Sequence, residues 1–253
     1  MEILNVIKVC DASFFYAEKT RKNKVCDFEK YVFKSLDFSL QKESVCSILG
    51  ANGSGKTTLL KCLVGLLQLT SGSIYIEEKE QKNIKNCELL NKMVYIPQNK
   101  KIFGMKVFDM VLLGRIGKTS IFSEPTYEDI CFTKNAIELL GIESLSEKKM
   151  DEISGGQQQL VFLARAIASG AKILILDEPE MSLDLKNRVK ILETFKKLAE
   201  CGYSILFTTH EIQSARKFSD NSLLCFNFEN WLFGKSEEIL TDENIFKAFG
   251  VLL

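Results

Sequence analysis

Gly50-Ala51-Asn52-Gly53-Ser54-Gly55-Lys56-Thr57-Thr58 is the stretch on which the reading of this chain turns. The apolar run Val45-Cys46-Ser47-Ile48-Leu49 before it has the make-up of a buried strand, and Leu59 to Leu67 after it that of a helix. The nonapeptide is therefore G-x-x-x-x-G-K-T between a strand and a helix, the setting that a phosphate-binding loop requires. Its glycines let successive N–H groups point inward at the positive end of a helix, which makes a concave anion site. Lys56 is expected on the β- and γ-phosphates of a nucleotide and the Thr57 hydroxyl on Mg²⁺.

Outward from the loop, strand and helix patterns alternate. Residues 3 to 16 and Tyr31 to Leu40 read as strands. Between them Glu18 to Lys30, with Lys19, Arg21, Lys22, Lys24 and Lys30, reads as a solvated loop. Thr70-Ser71-Gly72-Ser73 reads as a turn, Ile74-Tyr75-Ile76 as a short strand, and Lys92 to Gln98 as a strand stopped by Pro97. From about Val107 to Lys149 apolar residues fall at helical spacing, which predicts a helical insertion. Gln157 to Ser169 is helical, Lys172 to Asp177 a buried strand, and Leu185 to Glu200 an amphipathic helix ended by Cys201-Gly202. Ser204 to Thr209 is a further buried strand, so the order is that of a βαβ protein with a parallel sheet. Leu223 to Gly234 reads as a hairpin, with a short helix near Asp242 to Phe249.

Composition narrows the classes. Lys plus Arg and Asp plus Glu both total 33, so no global field recruits nucleic acid or an anionic membrane, and no nucleic-acid partner is predicted. The eight cysteines form no C-x-x-C pair, and a single histidine cannot complete a zinc-finger spacing. Cys46, Cys62 and Cys225 sit in apolar runs and read as reduced core residues of a cytosolic protein. No signal peptide is predicted, and apolar runs stop short of the roughly 20 residues needed to cross a bilayer. Membrane association would then come through a partner.

Two further stretches carry chemistry. Lys172 to Glu178 is an apolar strand ending in two acids, an expensive arrangement unless the acids are used. In a phosphate-loop enzyme Asp177 would hold the Mg²⁺ shell, and Glu178 would polarise a water for in-line attack on the γ-phosphate. Ile153-Ser154-Gly155-Gly156-Gln157 stands just before a helix and presents backbone N–H groups with a serine hydroxyl.

Together these residues resemble the ATP-binding cassette (ABC) ATPases over nearly the whole chain. Gly50 to Thr58 matches the family's Walker A motif, Gln98 its Q-loop glutamine, and Ile153 to Gln157 its signature motif, with Ile153 where leucine is usual. Lys172 to Glu178 matches Walker B, Ser182-Leu183-Asp184 the D-loop, His210 the switch histidine, and Tyr16 the aromatic that stacks on adenine. The resemblance implies an α/β fold: a P-loop NTPase core with a mostly parallel sheet, an antiparallel β subdomain on the N-terminal side and a helical insertion. The chain is then a single ATPase domain over 1–253 with the helical subdomain at about 100–155.

The resemblance also implies roles. ATP would be held by Tyr16, Asn52, Gly53, Ser54, Gly55, Lys56, Thr57 and Thr58. Mg²⁺ would be served by Thr57, Gln98 and Asp177. Glu178 would be the general base, and His210 would contact the γ-phosphate. Ser154, Gly155, Gly156, Gln157 and Asp184 would complete the site of a second copy, because one chain has one copy of each half-site; this implies a head-to-tail dimer. Glu180 and Met181 depart from the family's usual Thr and Ser or Asn, and Gln158 replaces a common basic residue.

Val107 to Arg115, Leu183 to Asn187 and the tail from Glu238 to Val251 are similar to importer ATPases for iron chelates, haem and cobalamin. The implied protein is the ATPase subunit of an uptake system, at the cytoplasmic face of the membrane. It would act with an integral-membrane permease and an extracytoplasmic substrate-binding protein. The alternatives are a soluble assembly ATPase of the iron–sulfur-scaffold type, or an importer ATPase for free metal ions or another small solute.

Overall fold

In the computed structural model, residues 4–16, 31–98, 104–116, 124–181 and 183–250 are described. In chain order they form β1 (Asn5–Phe15), β2 (Tyr31–Gln41), β3 (Val45–Leu49), α1 (Lys56–Leu63), β4 (Ser71–Ile76), β5 (Lys79–Glu80), α2 (Asn86–Lys92) and β6 (Met93–Ile96). Then come α3 (Val107–Leu112), α4 (Tyr127–Leu139), α5 (Gly155–Ala168), β7 (Ile173–Leu176), α6 (Leu185–Glu200) and β8 (Ser204–Thr209). The chain continues through α7 (Ile212–Phe218), β9 (Asn221–Cys225), β10 (Trp231–Lys235), α8 (Ser236–Ile239) and α9 (Asp242–Phe249). The predicted polar loop from Glu18 to Lys30, Ser182 of the D-loop stretch, Val251 of the tail and Cys26 lie outside the described residues.

Two compact units result. The first gathers Met1–Lys42, Cys46–Ile84 and Thr208–Leu253, and the second Glu43–Val45 with Lys85–Phe207. In the second unit α3 and α4 both pack on α5.

In the first unit β1 lies between β2 and β4 in an antiparallel sheet, with Ile7, Val9, Phe33, Leu36, Leu40, Ile74 and Ile76 buried. The predicted turn at Thr70 to Ser73 is instead the start of β4, whose Ser71 and Ser73 pair with β1. Gly72 is what allows it: a Cβ there would lie 2.2 Å from the Asp11 carbonyl oxygen, where β1 bulges. Elsewhere in this unit β3 runs parallel to β9, and β10 antiparallel to β9, which is the predicted hairpin. Leu49, Ile212, Ala215, Leu224, Ile239, Leu240 and Ile245 form a core cluster beneath them. Helices α7 and α8 had no counterpart in the sequence reading; both are short, with too few turns to show a period.

In the second unit β6, β7 and β8 are parallel and in register, Met93 opposite Ile173 and Ile173 opposite Ser204. All residues of β7 and β8 are buried, which is why they read as continuous apolar runs rather than alternating ones. Phe195 of α6 packs on Phe207 of β8, with ring centroids 5.4 Å apart.

The helical part of this unit is tied to α5 at atomic contact. A Cβ on Gly114 would sit 2.2 Å from the Arg165 carbonyl oxygen, so only glycine permits that approach. Buried Arg115 donates from Nε to Asp129 Oδ1 at 2.8 Å and from a terminal nitrogen to the Ala168 carbonyl at 3.1 Å, and its guanidinium lies over the Phe132 ring. The Gly114-Arg115 pair that ends the importer-like stretch from Val107 is therefore an internal tie between α4 and the end of α5.

Candidate functional site

The phosphate-loop residues lie in the first unit. Buried β3 delivers the chain to Gly50, and α1 begins at Lys56 with Gly55 as its N-cap. Gly55 takes a left-handed φ of 94°, and a Cβ there would meet Val32 Cγ1 at 2.4 Å, so the position accepts no other residue. No side chain caps α1, and no acid stands in its first turn. The loop thus offers a positive helix end to an incoming anion. Buried Lys56 donates from Nζ to the Gly50 and Ala51 carbonyls at 2.8 and 3.0 Å. An anion in the loop would compete with those two carbonyls for the ammonium. Asn52 and Gly53 are exposed and Ser54 half-buried, on the loop itself, and Thr57 is exposed on the first turn.

Tyr16, also in this unit, is brought to α1. Its hydroxyl is 3.1 Å from Thr58 Oγ1, its ring meets Phe14 edge-on, and the side chain remains 57% exposed, enough for a flat ligand to stack on it. His210 follows β8 on an exposed bend, which the Glu211 N–H closes onto Thr209 Oγ1 at 2.9 Å.

The acids lie in the second unit. The Asp177 N–H donates to the Ile96 carbonyl at 2.9 Å, which carries the β6–β7 ladder one residue beyond the strands. The Asp177 side chain is buried and accepts from the Tyr95 hydroxyl at 3.2 Å. Burial first, and then the Asp177 carboxylate, push the Tyr95 phenol up, so that it stays protonated and donates. Glu178 has a left-handed φ of 46°, uncommon for a residue with a side chain and characteristic of functional turns. Its Oε2 accepts from Gln98 Nε2 at 2.6 Å, and the same amide reaches Met181 Sδ at 2.8 Å. The structure thus gathers Gln98, Asp177 and Glu178 at the ends of adjacent strands.

The signature-like residues are also in this unit. Ser154 is the N-cap of α5: its Oγ accepts from the Gln157 N–H at 3.3 Å, and the Gln157 side chain accepts from the Ser154 N–H at 3.0 Å. Gln157 therefore has a local structural task. Ser154 and Gly155 are exposed. A Cβ on Gly156 would lie 2.6 to 2.9 Å from the Asn187 side chain, so α5 begins in contact with the first turn of α6. Exposed Asp184 caps α6, with Oδ1 accepting from the Asn187 N–H at 2.8 Å and Oδ2 from the Asn187 amide at 2.9 Å. Gln158, where the family has a basic residue, donates to the Met150 and Ile153 carbonyls and pins the approach to the motif.

Within the second unit the Asp177 carboxylate and the neutral side-chain oxygen of Gln98, and within the first unit the Thr57 hydroxyl, are each hard donors of the kind Mg²⁺ takes. Among the described residues no group of three or more His, Cys, Asp or Glu could hold a metal ion. One carboxylate plus substrate phosphates is the way Mg²⁺ is commonly bound.

Residues 33–181 match the ABC transporter family. The chain belongs to that family. As an ABC transporter ATPase it couples ATP hydrolysis to transport. It is 35% identical over 219 residues, 85% of this chain and 73% of the relative, to the chelated iron transport system membrane protein YfeB of Yersinia pestis. It is 34% identical over 223 residues, 87% of this chain and 83% of the relative, to the molybdate import ATP-binding protein MolC of Haemophilus influenzae. A solved inward-facing structure of a putative metal-chelate type ABC transporter aligns with a TM-score of 0.83 at 30% identity, covering 98% of this chain and 90% of that one. No helix among the described residues of this ABC ATPase is long and apolar enough to cross a membrane.

Sequence reasoning missed Tyr95, and for Asn187, which it placed in the importer-like stretch Leu183 to Asn187, it missed the contact with Gly156. Tyr95 could have been found from its strand: it stands one residue before Ile96-Pro97, on the strand that pairs with the one ending in Asp177. The Asn187 contact with Gly156 carried no signal in the sequence, since the two residues lie on different helices.

Proposed function

We propose that this ABC ATPase energises uptake of a metal chelate, such as an iron–siderophore, haem or cobalamin, through a separate membrane permease. The observation that carries the proposal is the likeness to the metal-chelate type transporter over 98% of the chain. The relative that serves chelated iron supports it. A molybdate import relative is nearly as similar, as expected of a subunit that meets the permease rather than the cargo.

In this reading Lys56 leaves the Gly50 and Ala51 carbonyls for the β- and γ-phosphates, and the amides of Asn52 to Thr58 cradle them. Tyr16 stacks on adenine. Thr57, Gln98 and Asp177 would hold Mg²⁺, which would supply charge neutralisation for the phosphates. Glu178 would take the proton of the attacking water. His210 contacts the γ-phosphate. Ser154 and Gly156, with their neighbours Gly155, Gln157 and Asp184, complete the nucleotide site of a second copy placed head to tail. The dimer is the two-state element, its closed form favoured by ATP through contacts absent from the open form. An extracytoplasmic binding protein would deliver the chelate to the permease, with the ATPase at the cytoplasmic membrane face.

The test is to tag the Glu178→Gln protein, trap it with Mg-ATP in cells, and identify what accompanies it from detergent-solubilised membranes. A polytopic permease is the expected companion, and its own binding protein would name the cargo. Recovery of soluble partners alone would overturn transport in favour of an assembly ATPase.

A further inference from the structure

Asp177 is buried to 3% exposure at the end of an apolar strand, where an ionised carboxylate needs donors. Strand geometry explains which side chain supplies one. Tyr95 is the register partner of Ile175 in the parallel β6–β7 pair, and paired residues project to the same face of a sheet. Asp177 lies two residues after Ile175, so it shares that face by the period of two. The distance along the strand is about 6.6 Å, which is the reach of a tyrosine ring with its hydroxyl. The phenol therefore ends at Asp177 Oδ2, 3.2 Å away, while its ring packs half-buried beside β7. A phenylalanine at 95 would preserve that packing and lose only the donor.

We propose that Tyr95 is a positioning residue for the ATPase reaction, its hydroxyl fixing the orientation in which the Asp177 carboxylate meets the metal–nucleotide complex. The proposal rests on the assignment of Asp177 to the Mg²⁺ shell. Groups that hydrogen-bond a metal-binding carboxylate set its rotation, and their removal commonly weakens metal binding by about 10- to 100-fold. A hydroxyl suits the task better than a cation here, since it holds one oxygen without neutralising the charge that the metal requires.

The test uses Mn²⁺ as a paramagnetic probe, titrated by electron paramagnetic resonance into the full-length protein saturated with a non-hydrolysable ATP analogue. Tyr95→Phe is compared with the parent and with Asp177→Asn, and nucleotide binding is also measured in EDTA without metal. The expected result is a Mn²⁺ midpoint about 10-fold higher in Tyr95→Phe, with metal-free nucleotide affinity at the parent value. A purely structural role would move both readouts or neither. A Tyr95→Phe midpoint equal to the parent's, with Asp177→Asn shifted, overturns the role of Tyr95 alone. Equal midpoints in all three proteins overturn the assignment of Asp177 and the proposal with it.

Discussion

Helices α1 and α5 both begin at glycine-rich, family-defining motifs, yet their N-termini are prepared in opposite ways. At α1 the N-cap is Gly55, no side chain caps the helix, and the nearby cation Lys56 is parked on the loop's own carbonyls. At α5 the N-cap is Ser154, closed with Gln157 into a reciprocal capping box, with Gly156 pressed against Asn187. A side-chain cap occupies donors that a phosphate would use. The difference teaches how, in the proposed function, α1 would receive a phosphate by itself. Helix α5 is stable without one, and its exposed Ser154 and Gly155 can meet a ligand that another chain already holds.

That contrast can be broken at either helix. Lys56→Ala should have the largest effect, because two charge-assisted contacts to phosphate are lost. Each is worth about 1.5–3 kcal/mol, so nucleotide affinity should fall by at least about 100-fold in isothermal titration. Unchanged affinity would mean that the loop amides alone carry binding.

Ser154→Ala should act differently. Loss of the cap costs about 1 kcal/mol of stability, a Tm fall of about 2–4 °C for a chain of this size. Turnover should drop as well, while nucleotide affinity of the monomer stays at the parent value. A parallel loss of monomer affinity would contradict the division of labour between the two helices.

A pH-dependent effect is expected at the other end of α5, where Arg115 joins Ala168 to Asp129. The Arg115 guanidinium, followed by the Thr126 hydroxyl and N–H, holds the Asp129 carboxyl down to about 2. An ordinary aspartate titrates near 3.9 when unfolded. Because the folded value is depressed, the contribution is fully present above about pH 4 and is lost as pH falls toward about 2. The Tm gap between parent and Asp129→Asn should therefore narrow across that window; a constant gap would show that charge at Asp129 contributes nothing.

Much of the fold was legible where a local rule sufficed. Buried β3, β7 and β8 announced themselves through their apolar residues, and α6 ended where its Cys201-Gly202 terminus predicted. The start of β4 was not legible, since Gly72 looks like a turn until the β1 bulge that crowds it is known. The same holds for Gly114-Arg115: its partners Arg165, Ala168 and Asp129 come from two other helices, so its buried, internal role needed the fold. Within the candidate site the motif residues stand out in the sequence one by one. What the sequence could not display was their support, the Tyr95 hydroxyl on Asp177, the Gln98 amide on Glu178 and the Asn187 side chain under Gly156.

The central claim is that the N-terminus of α5 serves a nucleotide bound by a second copy. The most direct measurement is the mass of the Glu178→Gln protein by light scattering, with and without Mg-ATP. The account predicts a monomer that becomes a dimer on adding ATP, and loss of that dimer when Ser154→Ala is combined with Glu178→Gln. A protein that binds ATP and remains a monomer, or a dimer indifferent to Ser154, would contradict it.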